Sequence, residues 1–238
     1  MPIGNDVKLT WLGHATFLLE SPGGKRILID PFLSGNPSCP DHLKDPGDVD
    51  LLLVSHGHDD HSGDAVELAK SKRPAAVVGM VELCGFFESK GVENTVGMNK
   101  GGTHEIDGIR VTLTHALHSS SVVEGDGIVY TGEAAGFVIE LENGYRIYFA
   151  GDTAVFSDMA LIGEIYRPDL ALLPIGDYYT MGPREAAKAI ELLRVSKVVP
   201  MHYGTFPLLT GSPDRLRQET AGIRDLEIIE ATPGETLS

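Results

Sequence analysis

The chain has 238 residues, 42% of them apolar and 22% charged, a globular composition that excludes disorder as its main state. Nineteen Lys+Arg against 34 Asp+Glu leave a net charge of −15 with no cluster of basic residues, which disfavours nucleic acid or an anionic membrane as a partner. Two cysteines, Cys39 and Cys84, cannot build a disulfide framework, and residues 1–11 lack the basic and apolar regions of a signal peptide, so a cytoplasmic, reduced protein is expected.

No linker, repeat or low-complexity tract divides residues 1–238, and one domain is expected. Short apolar runs at 7–12 and 16–20 flank Gly13 and read as strands, followed by a turn at Ser21-Pro22-Gly23-Gly24. Arg26–Ile29 reads as a strand stopped by Asp30-Pro31, and 33–48, rich in Pro, Gly, Asn and Asp, as loop. Residues 51–54 are purely apolar and read as a buried strand. A helix from 65, a strand at 75–79 and a helix at 81–90 follow. Thr103–Ile106, 109–114, 136–141 and 145–149 read as antiparallel strands, the last two joined by Glu142-Asn143-Gly144, where Asn-Gly accepts positive φ. The glycine-rich segment 124–136 reads either as a lid or pocket wall, or as a hairpin loop. The last third alternates: helix 157–166, strand 170–173, helix 183–194 with Pro183 in its first turn, strand 197–200, helix 213–221 and strand 226–229. Strand-rich and βα-alternating stretches together predict an α/β sandwich of mixed sheets covered by helices. A TIM barrel is excluded, because 103–149 contains no helices.

The strongest chemical signal is His56-Gly57-His58-Asp59-Asp60-His61, directly after the buried run 51–54. In extended backbone His56 and His58 point the same way and can grip one metal ion. Asp60 and His61, at the turn into a helix, can face a second. Imidazole and carboxylate suit zinc, iron or manganese. Asp30, His115, His118, Asp152 and His202 each lie just past the end of a predicted strand, and ligands gathered from strand ends at one sheet edge make a rigidly held site. His42 and His104 read as surface residues.

The order Asp30, His56-x-His58-x-Asp60-His61, His118, Asp152, His202 resembles the five motifs of the metallo-β-lactamase superfamily over nearly the whole chain. Leu12-Gly13-His14, Ile29-Asp30-Pro31, His118-Ser119-Ser120, Gly151-Asp152-Thr153, Pro174-Ile175-Gly176, Thr180-Met181-Gly182-Pro183 and Met201-His202-Tyr203-Gly204-Thr205 narrow the resemblance to small metal-dependent hydrolases related to ascorbate-6-phosphate lactonase. More distantly, the pattern is similar to the phospholipase D that cleaves N-acyl-phosphatidylethanolamine. The resemblance implies a four-layer αββα sandwich with two mixed sheets and a dinuclear site at one edge. It implies His56, His58 and His118 on one ion, Asp60, His61 and His202 on the other, and Asp152 bridging. Asp30 would orient a ligand. His14 would either support a ligand or act as an acid facing the substrate, and His115 would be a packing or supporting residue.

The implied cofactors are two divalent ions per chain, zinc before manganese, iron or nickel, and the implied chemistry is hydrolysis by a metal-bound hydroxide. Asp60 would orient the water or carry its proton. The expected substrate is a small molecule, a lactone or ester or a phosphodiester, with further copies of the chain as the one protein partner left open. Tyr178 and Tyr179 read either as pocket-lining or as packing residues, and Arg184 is the sole candidate anchor for a phosphate. A secreted antibiotic-cleaving enzyme is disfavoured, since the common secreted class has Cys where Asp152 stands. Rival readings are an iron oxidoreductase on the same fold and a non-catalytic metal-stabilised module.

Overall fold

The computed structural model describes residues 3–4 and 6–238. Two seven-stranded sheets lie face to face. The first contains β1 (Lys8–Trp11), β2 (Phe17–Glu20), β3 (Arg26–Ile29), β4 (Leu51–Leu53), β5 (Ala76–Met80) and β6 (Thr95–Met98) in that order, with the C-terminal β16 (Thr236–Leu237) on the outside of β1. It is antiparallel from β16 to β3 and parallel from β3 to β6.

The second sheet runs β15-β14-β13-β12-β11-β8-β7. Its strands are β7 (Thr103–Ile106), β8 (Ile109–His115), β11 (Ala135–Glu140), β12 (Arg146–Phe149), β13 (Leu170–Pro174), β14 (Lys197–Met201) and β15 (Glu227–Ile228). As the sequence predicts, β7, β8, β11 and β12 pair antiparallel; β12 to β15 are parallel. Between β8 and β11 a separate hairpin, β9 (Ser121–Glu124) with β10 (Gly127–Tyr130), stands off both sheets.

The alternation of side chains sorts the second sheet into two faces. Phe137, Ile139, Ile147, Phe149, Leu172 and Val199 turn inward and join the core shared with the first sheet. Val138, Tyr148, Ala171, Leu173 and Val198 turn outward onto α4 (Met159–Tyr166), α5 (Pro183–Leu193) and α6 (Pro213–Glu219). On α5 the buried residues Ala186, Ala189, Ile190 and Leu193 follow helical spacing, and Pro183 starts the helix while Glu185 accepts the Gly182 N–H at 3.2 Å. The first sheet is covered likewise by α2 (Ala65–Lys72) and α3 (Val81–Ser89), through Ala65, Ala69, Leu83 and Phe87. β4 is Leu-Leu-Leu and buried on both faces, as a central parallel strand should be. Phe17 meets Phe149 across the sandwich at 6.4 Å between ring centroids. Full burial of a side chain of this size contributes about 1.5–3 kcal/mol.

The layer order is αββα. The parallel strands of both sheets end at one common edge, and there the chain leaves β3, β4, β12 and β14 with Asp30, His56, Asp152 and His202. β6 and β16 are strands where none was predicted, and Asp59–Ser62 is a short helix of its own, α1. Of the two readings of 124–136 the structure shows the hairpin, β9 with β10, and no residue of it lines the cleft at the edge.

Candidate metal centre

Two groups of donors converge at this edge. In the first, His56 Nε2 lies 3.0 Å from His58 Nδ1, and His118 Nε2 lies 3.3 Å from the same atom. Nitrogens bound to one tetrahedral ion at about 2.0–2.1 Å are about 3.3 Å apart, so three imidazoles at this spacing fit a shared cation. The second group is His61, His202 and Asp60, with His14 behind them. Asp152 stands between the groups. Its Oδ2 is 3.0 Å from His202 Nε2, 3.3 Å from His61 Nε2 and 3.7 Å from His118 Nε2.

The backbone builds this arrangement. Gly57 separates the two histidines because a Cβ there would collide with Thr131 Oγ1 and with the Ser121 backbone at 3.1 Å. The Gly57 N–H donates to Ser120 Oγ at 3.1 Å, which ties the His56–His58 turn to the His118-Ser119-Ser120 segment. Gly151 has φ +62° and no room for a Cβ, which would sit 2.6 Å from the Ala135 carbonyl; it turns Asp152 into the edge. Thr153 Oγ1 accepts the Leu117 N–H at 2.9 Å and so holds the His118 loop against the Asp152 loop.

Supporting hydrogen bonds fix which ring nitrogen is free. Asp30 is fully buried and accepts from the Ser55 N–H at 2.7 Å, from the Ser55 hydroxyl at 2.6 Å and from His61 Nδ1 at 2.7 Å. The carboxylate can only accept, so His61 carries its proton on Nδ1 toward Asp30 and turns Nε2 to the site. Because the Ser55 hydroxyl donates to Asp30, it accepts from His56 Nδ1 at 3.0 Å, and His56 Nε2 is likewise free for a cation. His14 is fully buried, with Nε2 3.0 Å from Asp60 Oδ2 and Nδ1 3.0 Å from Thr205 Oγ1. It therefore donates to Asp60 and accepts from Thr205, and it does not line the cleft.

His61 Nε2, His202 Nε2 and Asp152 Oδ1 are buried without a hydrogen-bond partner. Orphaned polar atoms of this kind are rare and costly, and here they cluster around one carboxylate, which is the pattern a bound cation resolves. The electrostatics agree. Burial drives His56 well below the ordinary histidine value and lowers His58 and His118, which keeps these imidazoles neutral as ligands must be. Burial also brings His14 down to about 4. His61 behaves oppositely: burial alone would lower it, but the Asp152 and Asp30 carboxylates raise it well above 6.5. Burial would raise Asp152, yet His202 and His61 hold it well below the usual carboxylate range. Asp60 is lowered in the same way, burial being outweighed by His14 and His61. The two carboxylates thus favour positive charge at the same His61 Nε2 that a metal ion would need. Asp30 has its oxygens engaged by Ser55 and His61, and it also forms a buried group with His56 and His61 whose donor atoms lie within 4.8 Å of one another.

The other candidates fall outside the cluster. His115, expected as a packing or supporting residue, is instead exposed at the last position of β8, 3.0 Å from Lys100 Nζ and 5.0 Å from the Phe156 ring; alternation with the buried Val111 and Leu113 would have turned it inward. His42 and His104 are exposed, as predicted. Tyr179 lines the cleft and Tyr178 does not; Arg184 is exposed and does not reach it. Sequence reasoning missed Ser55 and gave no role to Ser120 and Thr205, although all three adjoin or fall within quoted motifs. It also missed Phe32, Phe206, Pro207 and Leu208, the apolar wall of the cleft, which carry no motif.

Residues 25–203 match the family model of the beta-lactamase superfamily domain. A UPF0173 metal-dependent hydrolase of Rubrobacter xylanophilus is 53% identical over 232 residues, covering 97% of this chain and 96% of its own. A UPF0173 metal-dependent hydrolase of Koribacter versatilis is 50% identical over 98% of each chain. The solved structure of Igni18, a metallo hydrolase of the archaeon Ignicoccus hospitalis, superposes with a TM-score of 0.85 at 37% identity over 97% of each chain. These names specify metal-dependent hydrolysis and no lactone. With its αββα sandwich and its His/Asp donor cluster at the sheet edge, the chain belongs to the beta-lactamase superfamily, among the UPF0173 metal-dependent hydrolases.

Proposed function

We propose that the protein is a dinuclear hydrolase that cleaves an ester, lactone or phosphodiester of a small molecule. The observation that carries this reading is Asp152 Oδ2, which faces His118 on one side and His61 and His202 on the other within 3.7 Å. One carboxylate oxygen with nitrogen donors on two sides suits a bridge between two ions. His56, His58 and His118 would hold one ion, and Asp60, His61 and His202 the other. The donor set of neutral imidazoles and carboxylates fits zinc, and also manganese, iron or nickel. Divalent ions there supply Lewis acidity toward a substrate oxygen and acidify a coordinated water.

The remaining work falls to the chain itself. Asp60 is half-buried at the cleft, and its Oδ2 receives the His14 N–H at 3.0 Å, which fixes the carboxylate and leaves its other oxygen able to orient a water. Thr205 holds His14 from behind. The cleft opens directly onto His58, Asp60, His118 and Asp152, which favours an enzyme over a purely structural metal module.

Two measurements test this together. Metal-free protein titrated with zinc should saturate at about two ions per chain, since seven donor side chains exceed what one tetrahedral ion needs. Asp152→Ala should lose or loosen one ion and drop hydrolysis of p-nitrophenyl esters, lactones or bis(p-nitrophenyl) phosphate by several orders of magnitude. Saturation at one ion, or a two-ion Asp152→Ala protein of near-normal activity, would overturn the bridging role.

A further inference from the structure

The cleft over the donor cluster has a volume of about 730 Å³, enough for a drug-sized molecule. Building on the hydrolase reading above, we infer that it selects an uncharged carboxylic ester or lactone whose acyl side carries an apolar chain or ring, and rejects phosphorylated and carboxylated analogues. Beside the metal donors the cleft is lined by Phe32, Tyr179, Phe206, Pro207 and Leu208. The polar residues of the lining are the donors His58, Asp60, His118 and Asp152 together with Asp59, Ser119 and the Tyr179 hydroxyl, and no Lys or Arg among the described residues contributes.

Proteins bind phosphate and carboxylate groups with Arg, Lys or well-placed N–H groups. Here an anion beyond the reach of the ions would meet Asp59, an apolar wall and only the neutral hydroxyls of Ser119 and Tyr179, with no cation, in a chain of net charge −15. Arg184, the one basic residue the sequence offers as an anchor, is exposed elsewhere. Phe206 is 36% exposed, Leu208 47% and Tyr179 53%, so large apolar side chains face water around the cleft mouth until a ligand covers them.

The wall is also fixed in place. Phe206 packs edge-on against the His14 ring at 5.6 Å and lies 6.5 Å from Phe32. The Leu209 N–H donates to the Phe206 carbonyl at 2.9 Å and closes the turn that presents Phe206, Pro207 and Leu208. This turn follows His202 by a few residues, so the apolar group of the substrate lies on the Asp60–His202 side of the site. A fixed apolar wall discriminates by chain length, at up to about fourfold in affinity per buried methylene.

Straight-chain hydroxamates, which chelate zinc without needing turnover, probe this directly by calorimetry on the zinc-loaded protein. From acetohydroxamate to octanohydroxamate the affinity should rise about two- to fourfold per methylene until the wall is covered. The monohydroxamate of succinic acid should bind at least about tenfold more weakly than butanohydroxamate, since its carboxylate must be desolvated against the wall. Leu208→Ala and Phe206→Ala should flatten the chain-length series, and Leu208, half exposed, can be replaced without loss of folding. A flat series in the native protein, or succinyl binding tighter than butanoyl, overturns the inference. The matching p-nitrophenyl esters separate the two readings: graded hydroxamate binding with no ester cleaved upholds the apolar selection and defeats the hydrolase reading. Cleavage without any chain-length grading does the reverse.

Discussion

Replacing Asp30 with Asn alters almost no volume, and Asn is among the residues that best tolerate the left-handed backbone found there, φ 47°. Even so, the change should damage the metal site, through the hold of Asp30 on His61. Asp30 uses both oxygens as acceptors: Oδ1 for the Ser55 N–H at 2.7 Å, Oδ2 for the Ser55 hydroxyl at 2.6 Å and His61 Nδ1 at 2.7 Å. An amide has one acceptor oxygen. In one orientation its NH2 faces His61 Nδ1, and His61 must move its proton to Nε2, which blocks the lone pair a metal needs. In the other, NH2 opposes the buried Ser55 N–H. An unsatisfied buried donor costs about 1–3 kcal/mol of stability. Losing the carboxylate that orients a ligating imidazole costs about 10- to 100-fold in metal affinity, or about 1.4–2.8 kcal/mol. Zinc competition against a chromophoric chelator measures the second quantity, and urea unfolding of the metal-free protein measures the first. Zinc affinity within twofold of native, with an unmoved unfolding midpoint, would refute the assignment of Asp30 as the residue that holds His61.

His118→Ala should strip one ion and abolish turnover, whereas His115→Ala, at an exposed side chain beside Lys100, should leave metal content intact and change rate little; full occupancy in the first with loss in the second would reverse the pair. Metal affinity should fall as pH is lowered through the neutral range, because the His61 value is raised well above 6.5 and its Nε2 proton must leave before a metal can bind. By linkage, the same raised value makes the His61 contribution to metal-free stability complete below about 6.5 and lost as pH rises through the folded value. Calorimetry in buffers of different ionisation enthalpy should therefore register protons released on zinc binding between about pH 6 and 8, and none released would contradict the charge state assigned to His61.

The donors were legible because their chemistry is local. His56-x-His58-x-Asp60-His61 needs only extended backbone after a buried strand, and the strands that carry Asp152 and His202 announce themselves by apolar runs that stop at a polar residue. The neighbours that tune the donors were less legible. Ser55 and Thr205 matter through a hydroxyl angle that no periodicity encodes, and His14 reads either as a support for a ligand or as a substrate-facing acid until its two nitrogens are seen to be engaged by Asp60 and Thr205. His115 shows the limit of phase arguments: two residues on from the buried Leu113, at the last position of β8, it is exposed and its ring meets Phe156. β6, to which the sequence reading assigns no element, is half-exposed edge material, where the hydrophobic signal is weakest. The apolar wall could not be read at all, because Phe32 and Phe206 stand far apart in sequence and each looks like an ordinary loop residue.

Three residues of the centre, His14, Asp30 and His202, hold left-handed backbones at φ 57°, 47° and 58°, although none is glycine. Each such conformation costs on the order of 1–3 kcal/mol and persists only where its surroundings impose it. The surroundings are identifiable. The Asp30 N–H is taken by the Leu53 carbonyl at 2.9 Å and the His202 N–H by the His14 carbonyl at 3.0 Å, and that carbonyl also receives the Trp11 indole N–H at 3.0 Å. The left-handed turn is what lets a strand end in the core while the next side chain swings across the edge toward the opposite sheet. Strands from two sheets can then aim at one point, which straight continuations of β3 and β14 could not do. The strain is offset by a core that contains none of the metal donors, so the donor geometry is set by the sandwich and precedes any ion that binds to it.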